Sequence, residues 1–584
     1  MAKSAMRQFT KKIRELSLDI VLPLFFLSLV LEMVHFFPSL QEINIWDEAA
    51  YIHSGYQLLT SGVWPNLANS PLSSIMFTLT ILPVRHSPNF FVLSDAIARI
   101  LLFTLIFFSV YALSREVKRY ANPWVMLALV LIVPVASTMY LYPSDVLFAG
   151  FSALAFWQML VYFHRRKRRH LWWASGLMGM GMLARAEGLL LIGVMTIVTL
   201  VVTVPKKKWF RDVVTVLVPF IVLVGGYILI YGLATGDFSS GLRQRTFNNF
   251  ESGHEVIYSQ GSSFLPTVSA RIESNRIFGT GEENDYSVFR AIRRNPGVYL
   301  ERLKNVVPSF VQFAVKAYGN KFILIFLWLS LRGLVDLIMK RHFPLVLMAI
   351  LWFIPLGVGF LNTFFREGYF MMPYFVVFML SSIGLTAIVQ NFGKKSEKIG
   401  LCLAGGMILV ISALARNLSM FYRGALFIFA LAFLYILYLH LRQPQKWQAA
   451  AWWVLMAFGL IIRGSYPSPE LPVYGNLDVE RSVYYLQDHF PVSSHVLAGA
   501  PANVWAARMI YFGINSFDIP QFEDPEAFLI WMQVQGIDAV YVDPYFPASY
   551  KDFVISLVDK GLQEVFATPE RDILIFSLTE RDSS

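Results

Sequence analysis

The sequence predicts a polytopic α-helical membrane protein that carries a small external α/β domain after its last span. Three observations predict it. Of the 584 residues 56% are hydrophobic and only 15% charged, and the mean hydropathy is +0.53. Apolar runs near the roughly 20 residues needed to cross a bilayer recur along the chain, separated by short loops in which basic residues gather. Past residue 462 the pattern changes, and strand-like runs such as Ala539-Val540-Tyr541-Val542 and Ile573-Leu574-Ile575-Phe576 alternate with helix-like ones.

The net charge of +10 belongs to the same picture. In a soluble protein it would suggest nucleic acid, but here it follows the positive-inside pattern, so no nucleic-acid partner is expected. The one cysteine, Cys402, lies in an apolar run and excludes both an intramolecular disulfide and a cysteine metal site.

Taken in order, Lys3, Arg7, Lys11, Lys12 and Arg14 precede a first span at residues 18 to 37, and no small-residue cleavage site of a signal peptide follows it. The charge bias sets the N-terminus in the cytoplasm and residues 38–90 outside. That loop is too rich in Pro, Ser and Asn to span, and it predicts two surface helices, one from Asp47 and one across the apolar stretch Leu72 to Val84. The next span, 93 to 113, opens on Ser94-Asp95-Ala96 and Arg99 and closes on Arg115, Lys118 and Arg119. A third, 122 to 141, reaches Pro143-Ser144-Asp145 outside, and a fourth runs to the basic block from Arg165 to Arg169.

Residues 171 to 204 form one apolar run broken only at Arg185-Ala186-Glu187-Gly188, too long for one helix, so two short spans are expected to meet outside there. Lys206, Lys207, Lys208 and Arg211 return the chain inside, and a span at 212 to 233 leads out to the polar segment 234–316. The length of that segment and the helical spacing of Val288, Phe289, Ile292, Val298, Leu300 and Leu303 predict an ordered lid with one or two helices. Spans follow at 319 to 339 and 344 to 361, then Arg366-Glu367-Gly368-Tyr369 outside, then a span ending near residue 390. Three more between 399 and 462 bring the count to about 13, an odd number that places the final domain outside. The chain thus divides into a membrane domain, 1–462, and a soluble domain, 463–584.

The adjacent acids Asp47 and Glu48, within Asn44-Ile45-Trp46-Asp47-Glu48-Ala49-Ala50-Tyr51, begin a surface helix, where backbone N–H groups and the helix dipole favour negative charge. A helix cap requires no more than that, and the same is true of Asp145 after Pro143-Ser144. An arginine at a membrane boundary is costly unless it meets an anion. Arg185 therefore pairs either with Glu187 beside it or with a phosphate, and Arg366 repeats the situation. A carboxylate there can act as a general base, and the arginines can hold a phosphate. No phosphate-binding loop motif and no His-Glu-x-x-His zinc motif occurs, so ATP coupling and zinc lack support. Oxygen ligands from Asp47, Glu48 and Asp145 would suit a divalent cation, Mg²⁺ or Mn²⁺.

In their order and sidedness, Asp47-Glu48, Asp145, Arg185 and Arg366-Glu367-Gly368-Tyr369 make the chain resemble the GT-C glycosyltransferases over residues 10 to 390. The branch it resembles most holds the protein O-mannosyltransferases and the aminoarabinose transferase of lipid A. That resemblance implies a polyprenyl-phosphate sugar donor, Asp47 as catalytic base with Glu48 beside it, Asp145 as a substrate group, and Arg185 and Arg366 as phosphate contacts. Glu187, Tyr369 and His53 complete the expected substrate-binding set. One departure is that Asn69-Ser70-Pro71-Leu72 stands where the aminoarabinose-transferase branch has Lys-Pro-Pro-Leu, which argues against carrying over that branch's sugar or acceptor.

The expected activity is transfer of a sugar, with inversion, to a hydroxyl of a protein, lipid or glycan acceptor outside the membrane. A transporter or flippase of lipid-linked glycans and a polymerase or ligase of surface glycans are the alternatives. Against the transporter, the charged residues fall at span ends and no inverted repeat is seen. The loop charge bias and a single surface Asn-x-Ser triplet, Asn417-Leu418-Ser419, point to a bacterial plasma membrane.

Overall fold

The computed structural model describes residues 47–121, 126, 143–204, 209–238, 241–254, 273–317, 323–363, 367–390, 477–513 and 525–578 apart from 545, 547 and 559. The spans expected at 18–37, at 399–462 and, but for Met126, at 122–141 lie outside them, as do Arg366, Cys402 and the Asn417 triplet. Contacts gather the chain into two compact units, Met1–Leu101 with Arg243–Pro296 and Leu471–Ser584, and Leu102–Leu242 with Gly297–Glu470.

In the first unit Asp47 opens helix α1, Asp47–Ser61. Helix α2, Pro71–Ile81, starts with proline at a position where the missing N–H would be unsatisfied anyway. The two helices approach closely because residue 55 is glycine. A Cβ there would lie 2.8 Å from both the Ser74 carbonyl oxygen and the Thr78 nitrogen. In the space left, the Thr78 hydroxyl donates to the Gly55 carbonyl at 3.1 Å. Helix α3, Phe90–Val117, is long enough at 28 residues to cross a membrane and carries buried Asp95 and Arg99 near its start.

The second unit is a stack of apolar helices. Helix α4, Pro143–Arg165, is buried over most of its length against α5, Arg168–Ala184, and α6, Gly188–Thr203, follows after three residues. Helix α7, Trp209–Thr235, packs on α5 and exposes Phe210, Val222 and Leu233, as a lipid-facing helix must. Pro219 interrupts its backbone ladder, and Ser175 of α5 fills the gap: its hydroxyl donates to the Val216 carbonyl and accepts from the Phe220 N–H at 3.0 Å.

The segment expected as a lid holds, among its described residues, α8, Leu242–Ser252, a helical stretch at 273–278, α9, Val288–Arg294, and α10, Pro296–Ala317. Helix α11, Ile323–Met339, follows. The span expected at 344 to 361 is broken into α12, Phe343–Leu351, and α13, Ile354–Leu361, because Pro355 cannot continue the ladder. A 3₁₀ turn, Glu367–Met371, leads into α14, Tyr374–Gln390. Helices α11 and α14 cross through Gly333 and Gly384, where a Cβ on either would overlap the other's backbone.

Beyond residue 476 the first unit resumes with α15, Leu477–His489, β1, His495–Ala498, α16, Pro501–Ala506, β2, Ile510–Gly513, α17, Pro525–Val534, β3, Ile537–Val542, α18, Ala548–Ile555, β4, Leu562–Ala567, and β5, Leu574–Leu578. The strands form one sheet in the order β2-β1-β3-β5-β4, parallel among β1, β2 and β3 and antiparallel at β5. Each face has its own core. Leu497, Phe528, Val540, Val554 and Phe576 fill one, and Val496, Val504, Ala539, Tyr541 and Ile575 the other. Four helices among the described residues are long and apolar enough to cross a membrane: α3, α4, α7 and the α12–α13 stretch.

Candidate active site

The acid-bearing turn belongs to the first unit. Asp47 is the first residue of α1, and Glu48 behind it is buried, with both carboxylate oxygens 3.3 Å from Nη2 of Arg99. Arg99 turns its Nε to Asp95 Oδ2 at 2.6 Å, one helical turn earlier. Glu48, Asp95 and Arg99 thus form a buried cluster in which one guanidinium serves two carboxylates. His53, farther along α1, has its ring stacked on Trp505 of α16, with centroids 4.7 Å apart and planes 9° apart. Burial pushes the His53 imidazole down to about 4, so it is neutral at physiological pH.

A second cluster lies in the second unit, where three residues connect α5 to α6. Arg185 there is extended (φ −151°), which lets its side chain reach back across the connection to Glu187, with Nε to Oε2 at 3.2 Å and Nη2 to Oε1 at 2.9 Å. Its Nη1 donates to Asp145, in the first turn of α4. Tyr369, in the 3₁₀ turn, presents its ring face to the guanidinium, 4.4 Å from centroid to carbon. Burial alone would lower the Arg185 pKa, but the fields of Asp145 and then Glu187 outweigh it and hold the charge in place. Three of the five guanidinium donors are thereby occupied by carboxylates.

Of the residues singled out in the sequence, Asp145, Arg185, Glu187 and Tyr369 are therefore one cluster. Glu48 and His53 belong to the other unit, and Arg366 lies outside the described residues. As for a divalent cation, no group of three His, Cys, Asp or Glu among the described residues is placed to hold one. Glu48 and Asp145 face guanidinium groups, and the Asp47 side chain lies outside what the structure describes.

No family model and no curated protein sequence matches this chain. Solved structures do. ArnT from Cupriavidus metallidurans in the apo state superimposes with a TM-score of 0.56 at 14% identity, covering 95% of this chain and 97% of that one. The same protein bound to undecaprenyl phosphate gives 0.54 at 15% identity over the same shares. This chain shares the fold of that protein. The likeness extends past the residues whose motifs suggested it, since 95% of the chain is covered where the motifs stop near residue 390.

Two buried arginines have no role in the motif reading. Asp95 and Arg99 carry a readable signal, an i,i+4 acid–base pair inside an apolar helix, where an isolated charge would be prohibitive. Arg302 in α10 carries none, because its partner, the Thr363 hydroxyl at 2.5 Å, is 61 residues away. Burial lowers the Arg302 guanidinium to about 9.

Proposed function

We propose that the chain is a membrane glycosyltransferase that moves a sugar from a polyprenyl-phosphate donor to an acceptor hydroxyl on the external face. The observation that carries this reading is the fold match over 95% of the chain to a protein solved with undecaprenyl phosphate bound. Support also comes from buried carboxylates at the starts of α1 and α4. In this reading Asp47 takes the proton of the acceptor hydroxyl as its oxygen attacks the anomeric carbon, and the sugar–phosphate bond breaks on the opposite face with inversion. Glu48, already facing Arg99, orients α1 rather than moving protons. Arg185 and Arg366 receive the phosphate charge as it develops.

The reading includes about 13 spans, a cytoplasmic N-terminus and an external domain over 463–584, in a bacterial plasma membrane. The acceptor is a protein, lipid or glycan.

The test is purified protein in nanodiscs with a polyprenyl-phosphate sugar and an acceptor, following glycoside formation. Asp47→Asn should fold and bind donor normally, because Asn keeps the size and shape of Asp, while turnover falls by about 10²- to 10⁴-fold. Near-wild-type turnover by that variant would remove Asp47 as base. Donor movement across the bilayer without glycoside from wild type would replace the transferase with a transporter.

A further inference from the structure

We infer that the α/β domain formed by α15 to β5 is a positioning element for the acid-bearing helix, acting through Trp505 stacked on His53. The inference rests on the proposed role of the first turn of α1. It starts from a division within the first unit. The domain has a complete sheet with a core on each face, so nothing in its own stability calls for Trp505 to leave that core. Yet α16, only six residues long, turns this half-buried indole onto α1 with its ring nearly parallel to His53. His53 lies about a turn and a half from Glu48 along the same helix.

The residues beside Trp505 grip the other arm of the acid centre. Arg508 adopts a left-handed backbone (φ 64°), from which Nη2 donates to the Arg85 and Ser87 carbonyls, each at 3.3 Å. Its guanidinium carbon also sits 4.9 Å over the ring of Phe90. The Tyr484 hydroxyl of α15 donates to Asn89 Oδ1 at 2.5 Å. These contacts fix the start of α3, the helix that brings Asp95 and Arg99 to Glu48. Phe90 closes the loop by packing on Tyr56 of α1, with centroids 5.2 Å apart. One short segment, Trp505 to Arg508, therefore holds both helices whose junction is the buried Glu48–Arg99–Asp95 cluster.

Positioning differs from substrate contact in what it moves. Trp505→Ala and His53→Ala each delete the stack, the first from the domain side and the second from α1, so a folding failure of one leaves the other. In full-length protein in nanodiscs, both should lower kcat by about 10- to 100-fold with donor KM within about twofold, because a displaced group loses alignment before it loses binding. Amide exchange in the peptide spanning residues 47–61 should speed up about tenfold, with that of α4 unchanged. Trp505→Phe, which keeps a stacked ring, should restore both readouts to within about threefold of wild type.

Unchanged exchange in 47–61 for both alanine variants would overturn the inference, whatever the activity. So would faster exchange that leaves kcat intact while Asp47→Asn is inactive, since α1 would then matter without its brace. If Asp47→Asn is fully active the catalytic reading fails, and the exchange readout alone still decides whether the domain braces α1.

Discussion

Arg99 and Arg185 each sit between two carboxylates, and the difference between the two centres lies in what carries them. Glu48, Asp95 and Arg99 all stand on helices, with side chains 1%, 1% and 3% exposed, so none can turn away without moving a helix. Arg185 and Glu187 stand on a three-residue connection, and the Glu187 side chain is 17% exposed, so a carboxylate there has somewhere to go. The same stoichiometry therefore serves as a fixed joint in one unit and as an exchangeable one in the other. An anion arriving at Arg185 meets two carboxylates already there, of which Glu187, at 17% against 4% for Asp145, is the more exposed.

The largest effect should come from emptying the fixed joint. Arg99→Met takes the guanidinium away from two buried carboxylates, a loss of about 3 to 5 kcal/mol against the 5 to 15 that a domain typically has. Arg185→Met should cost less, about 1 to 3 kcal/mol, because Glu187 can turn to water and Asp145 alone stays buried. Thermal unfolding of both variants in detergent checks the ordering, and equal losses would break the comparison.

A smaller effect marks the helix beside the fixed joint. The folded pKa of His53 is depressed to about 4 from 6.5, so the unfolded chain takes up the proton first. The stabilisation is complete above pH 6.5 and fades as pH falls towards 4, by about 2 kcal/mol at pH 5. His53→Phe should flatten that slope when protection of the 47–61 amides is followed from pH 7 to 4.5. An unaltered slope would mean that other groups carry the acid sensitivity.

The smallest effect sharpens the exchangeable joint. Asp145→Asn keeps the shape at the start of α4 but removes one negative charge from beside Arg185. If Arg185 meets the donor phosphate, donor affinity should rise about fivefold, near 1 kcal/mol for one charge removed from a partly screened site. Unchanged affinity in a binding titration would leave Arg185 as a structural pair.

Much of this architecture was legible from residue patterns because membrane physics writes itself into them. The break at Arg185-Ala186-Glu187-Gly188 predicted the turn between α5 and α6, and the Leu72 to Val84 run predicted α2. Pro355 is a breaker inside an apolar run long enough for one span, and the chain there forms two helices. At the site, the pairing of Arg185 with Glu187 was foreseen as one of two outcomes, while its second carboxylate, Asp145, comes from 40 residues away. Glu48 with Arg99 spans 51 residues, and His53 with Trp505 joins two ends of the chain. Periodicity reports only the face a residue occupies, so contacts of that range leave no local trace.

The place of β5 has a consequence in time. It is the last of the five strands to be made, yet it sits inside the sheet between β3 and β4 and supplies Leu574 and Phe576 to one core and Ile575 to the other. Synthesis proceeds from the other end, so α1, α3 and the whole second unit exist before this domain can close its core. Until the final strand threads between its neighbours, α16 has no finished surface to hang from and His53 has no settled partner. A nascent chain would in that case carry its acid-bearing helix unbraced through most of its assembly and acquire a working geometry only at the end.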